Sequence, residues 1–132
     1  MNSRKAARQA LATALGTITT FVAVYDHETL DFGRRSPVGM VHSDGTGLGP
    51  GTSLAGGERM HGLIISIWWR RDESSEDYID DLSQEVYDKL LSLSGPTADW
   101  SGLDIDEEFS EMDYLVLDGV MYRRERIRVV IW

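Results

Sequence analysis

Asp118-Gly119 stands between two runs rich in β-branched and aromatic residues, Ser110–Leu117 and Val120–Trp132. A two-residue type I′ turn needs φ > 0 at both central positions, and Asp-Gly meets that demand at little cost. A hairpin closed here fixes its register. Leu117 faces Val120, Val116 faces Met121, Tyr114 faces Arg123, Asp113 faces Arg124 and Glu111 faces Arg126. The two-residue period then divides the second strand. Met121, Ile127, Val129 and Ile131 share one face with Arg123 and Glu125, while Tyr122, Arg124, Arg126, Arg128, Val130 and Trp132 share the other.

Arginine at every second position, with aromatics at both ends, has the form of a nucleic-acid stripe. The same register, however, sets acidic residues opposite Arg124 and Arg126, as in a half-exposed antiparallel sheet. Arg124, Arg126 and Arg128 are therefore expected at a sheet surface or subunit contact before a phosphate site.

The remaining chain supplies more strands and two helices. Ala6-Ala7, Ala10-Leu11 and Ala14-Leu15 recur at helical spacing, with Ser3 as N-cap and Gly16 as stop. That period, broken by Arg8 and Gln9, favours a core-facing helix over a signal or transit peptide. Ile18–Tyr25 and Val38–His42 read as strands. Glu58–Arg71 is the longest strand candidate, with Ile64, Ser66 and Trp68 on one side and Leu63, Ile65, Ile67 and Trp69 on the other. Apolar residues on both sides imply a central strand, or one covered by another subunit, which makes Trp68 and Trp69 candidate interface residues. Ser74 or Ser75 caps a second helix whose stripe is Ile79, Leu82, Val86, Leu90 and Leu93, with Gly95-Pro96 as terminator. Thr97–Ser110 reads as a loop. The expected architecture is one α+β domain over residues 1–132: about five strands, antiparallel or mixed, flanked by two helices in the order α-β-β-β-α-β-β.

Between the second and third strands, Ser43–Gly57 carries glycines at 45, 47, 49, 51, 56 and 57 together with Pro50. A Walker loop needs Lys-Ser/Thr before a helix and a dinucleotide loop needs strand-turn-helix context, and neither is present. Long connections of this kind in small domains are usually functional, so Gly45, Thr46, Gly47 and Leu48 are expected to contact a partner.

Charge and composition narrow the chemistry. The net charge is −9, and fifteen acidic residues fall between Asp72 and Asp113 with only Lys89 against them. Such a segment disfavours phosphate binding. The chain has no cysteine, which rules out disulfides and thiolate metal sites. No apolar run is long enough to cross a membrane. His27, His42 and His61 show no ligand spacing, and no nucleophile signature is recognisable. Asp104, Asp106 and Glu108 alternate and would share one face of an extended segment. A small metal-dependent hydrolase or nuclease using the Asp104–Glu108 carboxylates is therefore the alternative class, and a monomeric binding module using the arginines is a third.

The order of elements resembles that of tail terminator and tail completion proteins of long, non-contractile-tailed bacteriophages. The resemblance rests on an N-terminal helix, the Phe21–Tyr25 strand, the His61–Trp69 strand followed by Arg70-Arg71-Asp72, and the Asp80–Leu91 helix. Trp100-Ser-Gly-Leu103 and the closing Tyr122–Ile127 hairpin complete it. It covers most of the chain by pattern, without a diagnostic motif, and leaves out Ser43–Gly57. It implies a homomeric ring, usually hexameric, that caps the tail tube and joins it to the head-tail connector. Its partners would be further copies of itself, the tail tube protein and connector proteins, with DNA only passing through the channel. It implies a virion location after assembly in the host cytoplasm, no catalytic residues and no cofactor.

Overall fold

The computed structural model describes residues 4–43, 60–71, 76–109 and 111–132. Its elements are α1 (Arg4–Leu15), β1 (Ala23–Tyr25), β2 (Val38–Ser43), β3 (His61–Arg70), α2 (Glu76–Ser92), β4 (Leu103–Ile105), β5 (Glu111–Leu117) and β6 (Val120–Ile131). Two helices and a mixed six-stranded sheet make an α+β fold. The order holds one strand more than the sequence pattern implied.

The sheet is built outward from β3 and β6. They pair antiparallel from His61↔Ile131 to Arg70↔Tyr122, and β2 pairs antiparallel on the far side of β3. β1 joins β2 in parallel. Adjacent parallel strands need a long crossover, and residues 26–37 supply it. The outer edge of β6 is shared. β4 takes its C-terminal end through Leu103↔Ile131, and β5 takes the rest from Glu111↔Arg126 to Leu117↔Val120. Asp118 and Gly119 have φ of 50° and 76°, as the two-residue turn requires, and the hairpin register is the one the dipeptide predicts.

Both helices cover one face of the sheet. Ala7, Leu11 and Leu15 of α1 and Ile79, Leu82, Val86 and Leu90 of α2 bury against Val41, Leu63, Ile65, Ile67, Trp69, Ile127, Val129 and Ile131. α1 stops where expected, with the Gly16 amide bonded to the Ala12 carbonyl at 2.9 Å. α2 ends at Ser92, before Gly95-Pro96. There the Leu93 and Ser94 amides bond back to the Leu90 and Leu91 carbonyls, the Ser94 hydroxyl also donates to Leu91, and the Ser92 hydroxyl donates to the Lys89 carbonyl. The serines satisfy that turn before the glycine is reached. Ser3, Ser74 and Ser75, expected as caps, lie outside the described residues.

Two expectations need correction. Ile18–Tyr25 is not one strand, because Ile18–Phe21 forms a turn and only Ala23–Tyr25 pairs. Ile18 and Phe21 are spent on filling the core below α1, so burial overrides the β-propensity of their run. Thr97–Ser110 is not wholly a loop, since Leu103-Asp104-Ile105 forms β4. Trp100 anchors the approach through its indole N–H to the Leu93 carbonyl at 3.0 Å. Gly102 then lets the Trp132 ring lie across the backbone, where an added Cβ would come within 2.4 Å of the ring.

Gly119→Val places a β-branched residue in the left-handed region and should cost about 1–3 kcal/mol. Urea denaturation measures it, and an unchanged midpoint would contradict the turn geometry.

Candidate functional site

The sheet face without helices is the first place to look for chemistry, because its covering is unusual. Trp68, at 1% exposure, packs with Phe32, Val38, Met40 and Tyr122. Phe32 reaches this cluster from the β1–β2 crossover and stands edge-on to Tyr122, with ring centroids 5.2 Å apart. Arginines close the remainder. The Arg124 guanidinium lies 5.3 Å from the Trp68 ring and holds Asp113 through two bonds of 2.9 and 2.5 Å. Arg126 pairs with Glu111, and Arg128 with Asp106 at 3.0 Å. Their stems roof apolar surface while their charges are answered by β5 and by the turn after β4. Half-exposed pairs of this kind stabilise by at most about 1 kcal/mol each. Their larger consequence is that all three cations already hold carboxylates, which weakens the case for a phosphate stripe.

Trp68 and Trp69, expected at a subunit contact, lie inside the chain. Trp69 is fully buried in the helix-side core and Trp68 in the aromatic cluster. Apolar residues on both sides of β3 therefore reflect two internal cores. Gly45, Thr46, Gly47 and Leu48 lie outside the described residues.

The alternative metal site is not assembled. Asp104 sits on β4 opposite Val130. One Asp106 oxygen takes Arg128 and the other accepts the Glu108 amide at 3.2 Å. Phe109 N–H bonds to the Asp106 carbonyl, so the chain turns and Glu108 does not continue the face of Asp104. Among the described residues no three His, Asp or Glu side chains converge as metal ligands.

The structure does bring together three residues that no spacing announced. Ser66 Oγ is 3.0 Å from His42 Nε2, and His42 Nδ1 faces the Ser43 carbonyl at 3.0 Å and Glu28 at 3.3 Å. Two acceptors at Nδ1 place the proton there and leave Nε2 to accept the serine hydroxyl. The order Ser–His–Glu has the connectivity of a hydrolase triad, but the surroundings do not. Ser66 is 2% exposed in the middle of β3, between β2 and β6, so substrate cannot reach it. The neighbouring amides belong to the ladders and offer no oxyanion hole. The arrangement satisfies a buried hydroxyl. Only the pairing of β2 with β3 reveals it, since His42 and Ser66 are far apart in sequence.

The helix-side face holds the other unusual feature, at the β5–β6 hairpin. The helices do not extend over β5. Met112, Tyr114, Val116 and Met121 share that face at 48%, 51%, 60% and 41% exposure. Arg71 stands 5.2 Å from the Tyr114 ring centroid, and Arg123 Nε donates to Met112 Sδ at 2.9 Å while pairing with Glu76. Among the described residues β5 pairs only with β6, so its outer edge carries unpaired backbone groups. No residue pattern in the sequence separated these side chains from the core face they alternate with. No protein-family model matches the chain, and no curated protein matches it.

His42→Ala leaves the Ser66 hydroxyl buried without its acceptor and should cost about 1–3 kcal/mol, read by chemical denaturation. A fluorophosphonate probe should leave Ser66 unlabelled by mass spectrometry. Labelling there would reopen a hydrolase reading.

Proposed function

We infer that the protein is a structural assembly subunit of the tail-terminator or tail-completion type, forming a ring at the head-proximal end of a phage tail tube. The observation that carries this reading is the apolar edge of the β5–β6 hairpin, which among the described residues has no further strand beside it. A strand of this length, free on one side and apolar on its uncovered face, is a template for another chain. The resemblance in element order names the kind of assembly. The remaining surface fits a subunit that contacts DNA only in passing. The polar back of α2 exposes Glu76, Asp77, Asp80, Asp81, Glu85 and Asp88, and like charge along a channel wall opposes adhesion to the phosphate backbone. Arg124, Arg126 and Arg128 are neutralised within the chain, and no helix among the described residues is long and apolar enough to cross a membrane. The hydrolase alternative has less support, because Asp106 is committed to Arg128 and to its own turn.

Electron microscopy of the assembled particle should find a closed ring of this chain between tube and connector, and tails made without the chain should vary in length. A particle without the ring would overturn the reading. So would divalent-metal-dependent DNA cleavage by the purified wild type that Asp104→Asn with Asp106→Asn abolishes.

A further inference from the structure

The edge of β5 is specific enough to identify what it takes. Leu117 and Val120 flank a two-residue turn and so form a hydrogen-bonded pair. Alternation from Leu117 aims the backbone groups of Leu117, Leu115, Asp113 and Glu111 at β6. Those of Met112, Tyr114 and Val116 point away from it, and these three also carry the strand's exposed apolar side chains. Backbone donors, backbone acceptors and apolar surface therefore lie on the same residues.

We propose that β5 pairs antiparallel with β5 of a second copy of this chain, about a two-fold axis through Tyr114. This register matches all seven residues of the strand. Tyr114 meets Tyr114 of the second copy, and Met112 meets Val116 in both directions. Each of these is a pair with outward-facing N–H and C=O groups, giving about six new backbone hydrogen bonds. On the helix side the two exposed stripes fuse into one patch. The helices leave that area open, so they present no obstacle to it.

Charge selects this register over its neighbours. With the axis at Tyr114, Asp113 lies opposite Leu115 and Glu111 opposite Leu117. Moving the axis to Asp113 sets that carboxylate against itself, and moving it to Met112 sets Glu111 against Asp113. Like charges directly opposite are destabilising. An axis at Leu115 avoids the clash but gives up the start of the strand. The acids also retain Arg124 and Arg126 of their own chain, so neither carboxylate must be stripped of its partner. The contact is isologous and closes on itself.

The pair rests on the assembly reading only in taking β5 as the assembly edge. It is the state of the free protein, in which the edge is covered until the tube end offers a different neighbour. Since ring closure needs a heterologous contact, pair and ring are alternatives at β5, and each can fail without the other.

The chain has no cysteine, so single-cysteine variants report intermolecular geometry directly. Facing Cα atoms of a hydrogen-bonded antiparallel pair lie about 5.5 Å apart, within disulfide reach. Tyr114→Cys should form a covalent dimer on mild oxidation, while Asp113→Cys, whose two copies are displaced in this register, should remain largely uncross-linked. Sedimentation equilibrium of the wild type should show a reversible dimer. Val116→Pro removes an outward N–H without touching the β5–β6 ladder, as an edge strand tolerates. It should raise the dimer dissociation constant at least tenfold with the circular dichroism spectrum unchanged. A wild type that stays monomeric up to its solubility limit overturns the pair, as does equal cross-linking at positions 113 and 114. If Val116→Pro unfolds, the cysteine comparison alone decides. A ring in the particle together with a monomeric free protein would refute the pair and leave the ring standing.

Discussion

The ten-residue antiparallel register between β3 and β6 is the constraint on which everything else depends. It places Ile65 beside Ile127 and Leu63 beside Val129 under the helices, and Trp68 beside Arg124 on the opposite face. Both cores are thereby tied to one ladder. A slip of one residue would exchange the faces of a whole strand: in β6 it would take Ile127 and Val129 out of the core and bury the arginines under α2. The Asp118-Gly119 turn protects this register from one end, because it sets β5 against β6. β2 protects it from the other by matching six residues along β3.

A sheet covered by helices on only one side must still seal its other face. Here an aromatic cluster seals the half nearest the β1–β2 crossover, and arginine stems seal the remainder. Arginine suits this role because its planar group stacks on Trp68 while its nitrogens reach carboxylates on the neighbouring strand. The arrangement makes the face polar outside and dry beneath, with His42 meeting the hydroxyl of Ser66. It also spends the positive charge that a nucleic-acid surface would need. A sequence motif that suggests phosphate binding thus becomes, once paired, a roof over a tryptophan.

The sheet is unequal at its margins. β1 is short and joined in parallel, whereas β5 is seven residues long and apolar on its open face. Neither proline nor lysine guards β5, and its acids are drawn to the opposite face by Arg124 and Arg126. Natural proteins usually blunt such an edge. Among the described residues nothing blunts this one, which is what the proposed pairing with another chain requires.

Local chemistry alone determined much of this architecture. Asp-Gly dictated the final turn and its register, alternation assigned the faces of β6, and the spacing of Ile79, Leu82, Val86 and Leu90 oriented α2. Each of these depends on residues close together in the chain. What needed the tertiary structure depends on residues far apart. Trp68 and Trp69 entered separate internal cores because the crossover carried Phe32 over one of them. Ile18 and Phe21 left the first strand because space below α1 had to be filled. β4 formed because the distant end of β6 offered it an edge, and His42 met Ser66 only through strand pairing, with Glu28 brought up to it by the crossover. The same limit hid the exposed face of β5. Met112, Tyr114 and Val116 alternate like core residues, and only the extent of the helix layer decided that nothing in the described chain covers them.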